Sequence, residues 1–243
     1  MKKLLIIPTL IIAALAMTSC LNSDNSDNYI SVNGFVTAFE DLDQEIGVAF
    51  RTDYGVKFYV SQNNTSVELS DVEPGDRKVV TGILYESKLD DYVFSGVLSS
   101  IQDVQSGEWL SVSTEEEYDA LPSDTPLVGI QSNTSLTMGY LNIYVGFNGY
   151  DFSKAKFYLV EDLTLMDTDN TIVDGYCYLE LLVHNDESNI SDDDDDVCEG
   201  YVSFYLGDLS DKLSNISGVM LRLTTVDEDN DYVYYPIDSY SLF

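Results

Sequence analysis

Beyond residue 28 the apolar residues of this chain recur at alternate positions in short runs, and turn-forming or acidic residues end each run. Residues 32–39, 46–52, 56–60, 78–85 and 92–104 are rich in Val, Ile, Phe and Tyr with period-two stretches. That period puts alternate side chains on opposite faces of a strand, whereas a helix face needs three- and four-residue spacing. Asp53-Tyr54-Gly55 joins the second and third runs as a short hairpin, Glu73-Pro74-Gly75-Asp76 precedes the fourth, and Leu89-Asp90-Asp91 turns it into the fifth. Five strands in about 75 residues, with a longer connection between the third and fourth, predict a small OB-like barrel over 29–108.

Residues 105–138 form the expected seam. Thr114 and Glu117 match a capping box, which predicts a short helical turn at 114–121, and Pro122 and Pro126 prevent a longer helix. Strand patterning resumes at 139–147, 156–160, 175–184, 200–206, 218–226 and 232–237. Acidic turns at 167–170, 192–196 and 227–231 read as hairpin connections between several of these runs. The fold class is therefore all-β, an N-terminal OB-like five-stranded barrel followed by an antiparallel β-sandwich over 109–243.

The N-terminus has a different character. Met1-Lys2-Lys3 is basic, residues 4–16 are almost wholly apolar, and Met17-Thr18-Ser19-Cys20 closes the run. As a helix the apolar run would rise only about 20 Å, short of the roughly 30 Å bilayer core. The layout predicts a lipoprotein signal peptide over 1–19 and a lipidated Cys20, with 20–28 as a flexible tether. Several acyl chains on one cysteine give stable anchoring. The expected location is the outer membrane, held by lipid, with the cell surface and the periplasm both open as the side it faces; Asp24 and Asp27 behind Cys20 resemble the surface-export signals of Bacteroidetes lipoproteins.

Cleavage before Cys20 would leave nine Lys and Arg against 43 Asp and Glu, a net charge of about −34. Aromatic residues at 12% and hydrophobic residues at 44% are enough to fill a core, so this is a folded protein with an acidic skin. Such a surface repels phosphate backbones, and nucleic acid is excluded as a partner. The partners left are the membrane, through the anchor, and a protein, peptide or glycan ligand.

Catalytic signatures are weak. His184 is the single histidine, has no nucleophile elbow to accompany it, and falls at a strand end beside an acidic loop. No pair among the acids is marked for glycoside chemistry, so no enzyme activity and no cofactor are expected. Asp227, Asp229 and Asp231 occupy positions 1, 3 and 5 of an EF-hand-like run, but Tyr232 stands where the loop needs Gly. Asp192, Asp194 and Asp196 also lack that Gly. Solvated turns are the expectation, with weak Ca2+ binding as the form any cation role would take. Cys177 and Cys198 both fall on inward parities, and a disulfide between them is weighed against two buried thiols. Trp109 and the 18 tyrosines are expected to serve mainly in packing.

Three local runs carry a resemblance: Tyr140-Leu141-Asn142-Ile143-Tyr144-Val145-Gly146-Phe147, Leu179-Glu180-Leu181-Leu182-Val183-His184-Asn185-Asp186, and Gly200-Tyr201-Val202-Ser203-Phe204-Tyr205-Leu206. Taken with the Met17–Cys20 lipobox, the polar tether and the barrel-then-sandwich order, the chain resembles the NigD-like lipoprotein family of Bacteroidetes. The resemblance implies an OB-like domain before a β-sandwich and no settled activity. One namesake lies near bacteriocin genes, which implies an immunity-type role as one alternative. The run of Asp and the two extra cysteines depart from the family. The expected function is a non-enzymatic, lipid-anchored envelope protein acting by binding. A glycan-binding accessory role is the other alternative and would need two or three coplanar exposed aromatics.

Overall fold

The computed structural model describes residues 29–39, 48–86, 94–122, 125–130, 134–137, 139–162, 172–173, 175–191, 196–207, 217–225 and 232–238. β1 (Tyr29–Phe39) pairs antiparallel with β2 (Ala49–Thr52) and with β4 (Arg77–Glu86). β2 continues to β3 (Lys57–Asn63), β4 pairs with β5 (Phe94–Ser106), and a parallel β3–β5 pairing closes the ring. Val36, Phe50, Phe58, Val80, Leu84 and Leu98 fill it. This is the five-stranded OB-like barrel expected from the alternating runs.

The register of β4 and β5 shifts between Thr81 and Gly82, so that Ser99 is left as an extra residue. The bulge turns the inward parity of β5, which is why Leu98 and Ile101, three positions apart, are both buried. A Cβ on Gly82 would stand 2.4 Å from the Val97 carbonyl oxygen, a backbone atom that cannot swing aside. Gly82→Ala should therefore cost about 1–3 kcal/mol or more and lower the melting temperature by several degrees. Gly34→Ala, where nothing lies within 4 Å of the new carbon, is the control. Equal melting temperatures for the two variants would refute the argument.

β5 does not stop at the barrel. After Gly107 the chain continues as β6 (Glu108–Val112) and passes from one sheet to the other. A Cβ on Gly107 would fall 2.0 Å from the Phe204 ring, so only glycine lets the strand bend over that side chain. α1 (Glu115–Asp119) follows, with Thr114 Oγ1 accepting the Glu117 N–H at 3.2 Å as the capping box predicts. The return contact is displaced by one residue, because Glu117 accepts the Ser113 N–H at 2.8 Å.

The remaining strands are β7 (Leu127–Ile130), β8 (Ser135–Thr137), β9 (Tyr140–Asn148), β10 (Lys156–Asp162), β11 (Ile172–Val173), β12 (Tyr176–His184), β13 (Val197–Tyr205), β14 (Gly218–Thr224) and β15 (Tyr232–Asp238). One sheet runs β3-β2-β1-β4-β5-β13-β9-β7, with β8 also on β9. The other runs β15-β14-β12-β10-β6, with β11 on β12. Leu141, Ile143 and Phe147 of β9 and Phe204 of β13 meet Phe157, Leu159, Leu181 and Leu221 of the second sheet in the main core. On the outer face of the second sheet a small third cluster, Val112, Val160 and Leu182, is covered by Tyr118 and Leu121.

Two details depart from expectation. The sandwich is mixed rather than purely antiparallel, since β5–β13, β6–β10 and β12–β14 are parallel. Residues 185–196 are also not a hairpin, because β12 and β13 lie in opposite sheets. The crossing is pinned by the 149–151 turn. Asn189, 1% exposed, donates through Nδ2 to the Asp151 carbonyl at 2.8 Å and to Asn185 Oδ1 at 2.7 Å. The Gly149 N–H reaches the Asp196 carbonyl at 2.8 Å.

Candidate functional site

The outward residues of β9 and β13 stand opposite one another as Tyr140 and Tyr205, Asn142 and Ser203, Tyr144 and Tyr201, and Gly146 and Glu199. A polar pair thus sits between two tyrosine pairs, and the barrel docks on it. Phe35 of β1 meets the Tyr201 ring edge-on at 5.4 Å, and Tyr201 meets Tyr144 at 4.6 Å. Tyr144 donates to Glu199 at 3.2 Å. Burial, and then the Glu199 charge, push its hydroxyl up to about 12, so it remains a donor.

At the polar centre Arg77, the first residue of β4, forms a two-point ion pair with Asp53 of the β2–β3 turn, at 2.5 and 2.9 Å. The two residues are 5% and 7% exposed. Arg77 also donates to Thr37 Oγ1 and to Asn142 Oδ1, both at 2.9 Å, and its guanidinium carbon lies 4.1 Å from the centre of the Tyr140 ring. Asp53 Oδ2 further accepts from Asn142 Nδ2 at 3.0 Å and Thr137 Oγ1 at 3.2 Å. Ser203 Oγ donates to Asn142 Oδ1 at 2.7 Å. Arg77 and Asp53 belong to the barrel, and Asn142, Thr137 and Ser203 to the sandwich. The buried charge pair is a clasp across the seam.

Above the clasp lies a cleft of about 400 Å3 lined by Thr37, Arg51, Thr52, Asp53, Tyr140 and Tyr205. The carboxylate at its base already accepts from four donors, counting both Arg77 nitrogens, Asn142 and Thr137. It is not placed to take a proton from a ligand. Arg51 at the mouth is exposed and stands opposite Lys57. Neither makes an ion pair among the described residues, and Lys57 lies 5.6 Å over the Phe39 ring. The arrangement holds charge and offers hydrogen bonds, and among the described residues no nucleophile is paired with a base in it.

Residues 110–236 match the NigD-like C-terminal beta sandwich domain. The chain belongs to the NigD-like family. The whole fold recurs in solved structures. A protein of unknown function from Bacteroides vulgatus is 19% identical with a TM-score of 0.61, over 87% of this chain and 92% of that one. A predicted lipoprotein of Bacteroides fragilis is 10% identical with a TM-score of 0.56, over 88% and 99%. A NigD-like immunity protein of Bacteroides caccae is 19% identical with a TM-score of 0.50, over 87% and 93%. At these identities the likeness is one of fold, and none of the three is named for a catalysed reaction. No curated protein matches the chain.

Several residues singled out from the NigD-like sequence lie elsewhere. Cys20, Asp192, Asp194, Asp227, Asp229 and Asp231 fall outside the described residues. Asp196 is exposed and accepts from Ser191 Oγ at 2.9 Å, and no metal-binding cluster occurs among the described residues. His184 lies 4.0 Å from Asp186 at the end of β12. Trp109 is half-buried and packs on the main core. Tyr140 and Tyr205 are tilted by 54°, so this pair is not the coplanar platform that the glycan alternative asked for.

No disulfide joins Cys177 and Cys198. Cys177 lies at the start of β12, while Cys198 bonds the Gly149 carbonyl at 2.8 Å beside the 149–152 turn. Phe152 in that turn packs on Phe157, whose register partner is Val183, six residues further along β12. Six strand residues span about 20 Å, well beyond the reach of a bridge. Burial, and then the Asp151 and Asp196 charges, push the Cys198 thiol up. A raised value keeps the thiol protonated to higher pH, so its thiolate appears only above the ordinary thiol range. Iodoacetamide should alkylate Cys198 markedly more slowly at pH 8 in the folded chain than in the denatured one, with the gap closing as pH rises. Equal rates at pH 8 would contradict this.

A second buried charge pair escaped the sequence reading. Glu180 of β12 and Arg222 of β14 are register partners on the outer face of the second sheet, 3% and 9% exposed, and are hydrogen-bonded through Arg222 Nη2 and Glu180 Oε2. Tyr118 of α1 reaches both Glu180 oxygens at 3.2 Å. With a helix laid over it, this group joins α1 to the sheet and opens on no described cleft.

Proposed function

We propose that this chain is a lipid-anchored envelope protein that works by binding, and that the seam cleft is where it binds. The observation that carries the reading is the division of labour at the seam. Its charged pair is engaged in joining barrel to sandwich, while the cleft above keeps an exposed tyrosine and an arginine that forms no ion pair among the described residues. Such a site holds a ligand and has nothing arranged to break bonds in it. The lipobox at Met17-Thr18-Ser19-Cys20 and the predicted lipoprotein among the relatives support the anchor. Cys20→Ala should release the protein or leave an unprocessed precursor; a processed, membrane-held variant would refute the anchor.

A second reading is favoured by the Bacteroides caccae relative, which is named as an immunity protein. Here the acidic surface, about −34 after cleavage, would capture a cationic peptide, with affinity falling steeply as salt rises. Screening the full chain in detergent against a glycan array and a panel of cationic peptides is the deciding experiment. A reversible ligand without turnover is expected. Turnover of any substrate, or no ligand in either class, overturns the binding reading.

A further inference from the structure

We infer that the seam cleft takes a carboxylated sugar ring, with the carboxylate on Arg51 and the ring against Tyr205; this rests on the cleft being the binding site. The argument is one of unused hydrogen-bonding capacity. Thr37 Oγ1 accepts from Arg77 at 2.9 Å, and Thr52 Oγ1 accepts from the Val56 N–H at 3.1 Å. Each hydroxyl oxygen thereby has one of its two lone pairs occupied, and each keeps its own proton to donate. The Asp53 carboxylate, the strongest acceptor lining the cleft, already accepts four hydrogen bonds. Arg51 can only donate, and it forms no ion pair among the described residues. The threonines and the arginine thus offer donors, and the group that meets them must be rich in acceptors.

Charge narrows the class. Among the described cations Arg77, Lys78, Lys154 and Arg222 are paired with carboxylates, whereas Arg51, its cross-strand neighbour Lys57 and Lys156 of β10 form no ion pair among the described residues. On a chain with 43 acidic residues this leaves Arg51 in the cleft lining with Lys57 opposite it on the next strand, suited to a planar carboxylate that a guanidinium can grip at two points. The ring requirement comes from Tyr205. It is 58% exposed, and its neighbour Tyr140 has the Arg77 guanidinium 4.1 Å from its ring centre. One broad aromatic surface therefore remains for the apolar face of a pyranose. A cleft of about 400 Å3 suits one or two sugar units rather than a long chain.

Saturation-transfer NMR and calorimetry on the full chain in detergent, using glucuronate, glucose and acetate, test the assignment. Glucuronate should bind, glucose and acetate each at least tenfold more weakly. Arg51→Gln should reduce glucuronate affinity at least tenfold, Arg51→Lys should recover part of it, and Tyr205→Ala should reduce glucuronate and glucose alike. Both side chains are exposed, and unchanged thermal melts would confirm that the variants fold. Glucuronate binding that is unchanged in both Arg51→Gln and Tyr205→Ala overturns the site. Glucose binding equal to glucuronate overturns the anionic class. Failure of every sugar, beside a peptide ligand that still binds, overturns this inference and leaves the binding reading standing.

Discussion

Asp53→Ala should lower the stability of the folded chain by about 3–5 kcal/mol, the cost of leaving one half of a buried ion pair without the other. Arg77, 5% exposed in the parent, would lose two of its four hydrogen bonds. Asn142 and Thr137 would lose their acceptor on the barrel at the same time. Because the lost contacts cross the seam, the effect should be cooperative as well as energetic. The parent is expected to unfold in one transition and the variant in two, the barrel separating from the sandwich. Asp53→Leu combined with Arg77→Met removes both charges and should be less destabilised than the sum of the two single changes. Urea unfolding followed by tyrosine and tryptophan fluorescence measures all of this. A loss below about 1 kcal/mol for Asp53→Ala would show that water reaches the clasp and that its charges are not truly buried.

The second large effect is expected at the other buried pair. Arg222→Ala deprives the Glu180 carboxylate, 3% exposed in the parent, of its cation and leaves the Tyr118 hydroxyl beside it as a donor. The expected loss is again about 3–5 kcal/mol. Tyr118→Phe removes one hydroxyl and should cost nearer 1 kcal/mol. Adding Glu180→Gln to Arg222→Ala replaces a lone charge with a neutral amide and should restore part of the loss. If Arg222→Ala and the double variant are equally stable by chemical unfolding, charge burial is not what makes this pair matter.

The barrel was legible because each of its strands carries a period-two run ended by a turn. The runs at 32–39, 56–60 and 78–85 became β1, β3 and β4 with shifts of only a few residues. The partner of a strand was harder to read. β12 was expected to fold back on β13, yet it contains Leu179-Glu180-Leu181-Leu182-Val183, an almost unbroken buried run. Such a run marks a central strand covered on both faces, and it fits the parallel neighbour that β12 acquires in β14. The clasp left no local trace. Asp53 and Arg77 are 24 residues apart, and Arg77 and Asn142 are 65 apart. A charged residue in a tight hairpin is ordinarily solvated, and only the docking of the sandwich makes this one internal. Asn142 and Ser203 did carry a faint signal, as small polar residues flanked by tyrosines on one strand face.

The run from β5 through Gly107 into β6 bears on how such a protein can be recombined. Val104 and its neighbours form the parallel edge to Tyr201 of β13, and Glu108 to Val112 form the parallel edge to β10. A cut near residue 107 would take β5 away from β13 and expose a row of unpaired backbone groups along that edge of the sandwich. The barrel half would keep its strands but lose the Asn142 and Thr137 contacts of its buried charge pair, so gene fusions or truncations at that point should yield insoluble fragments. The two halves stand as one piece.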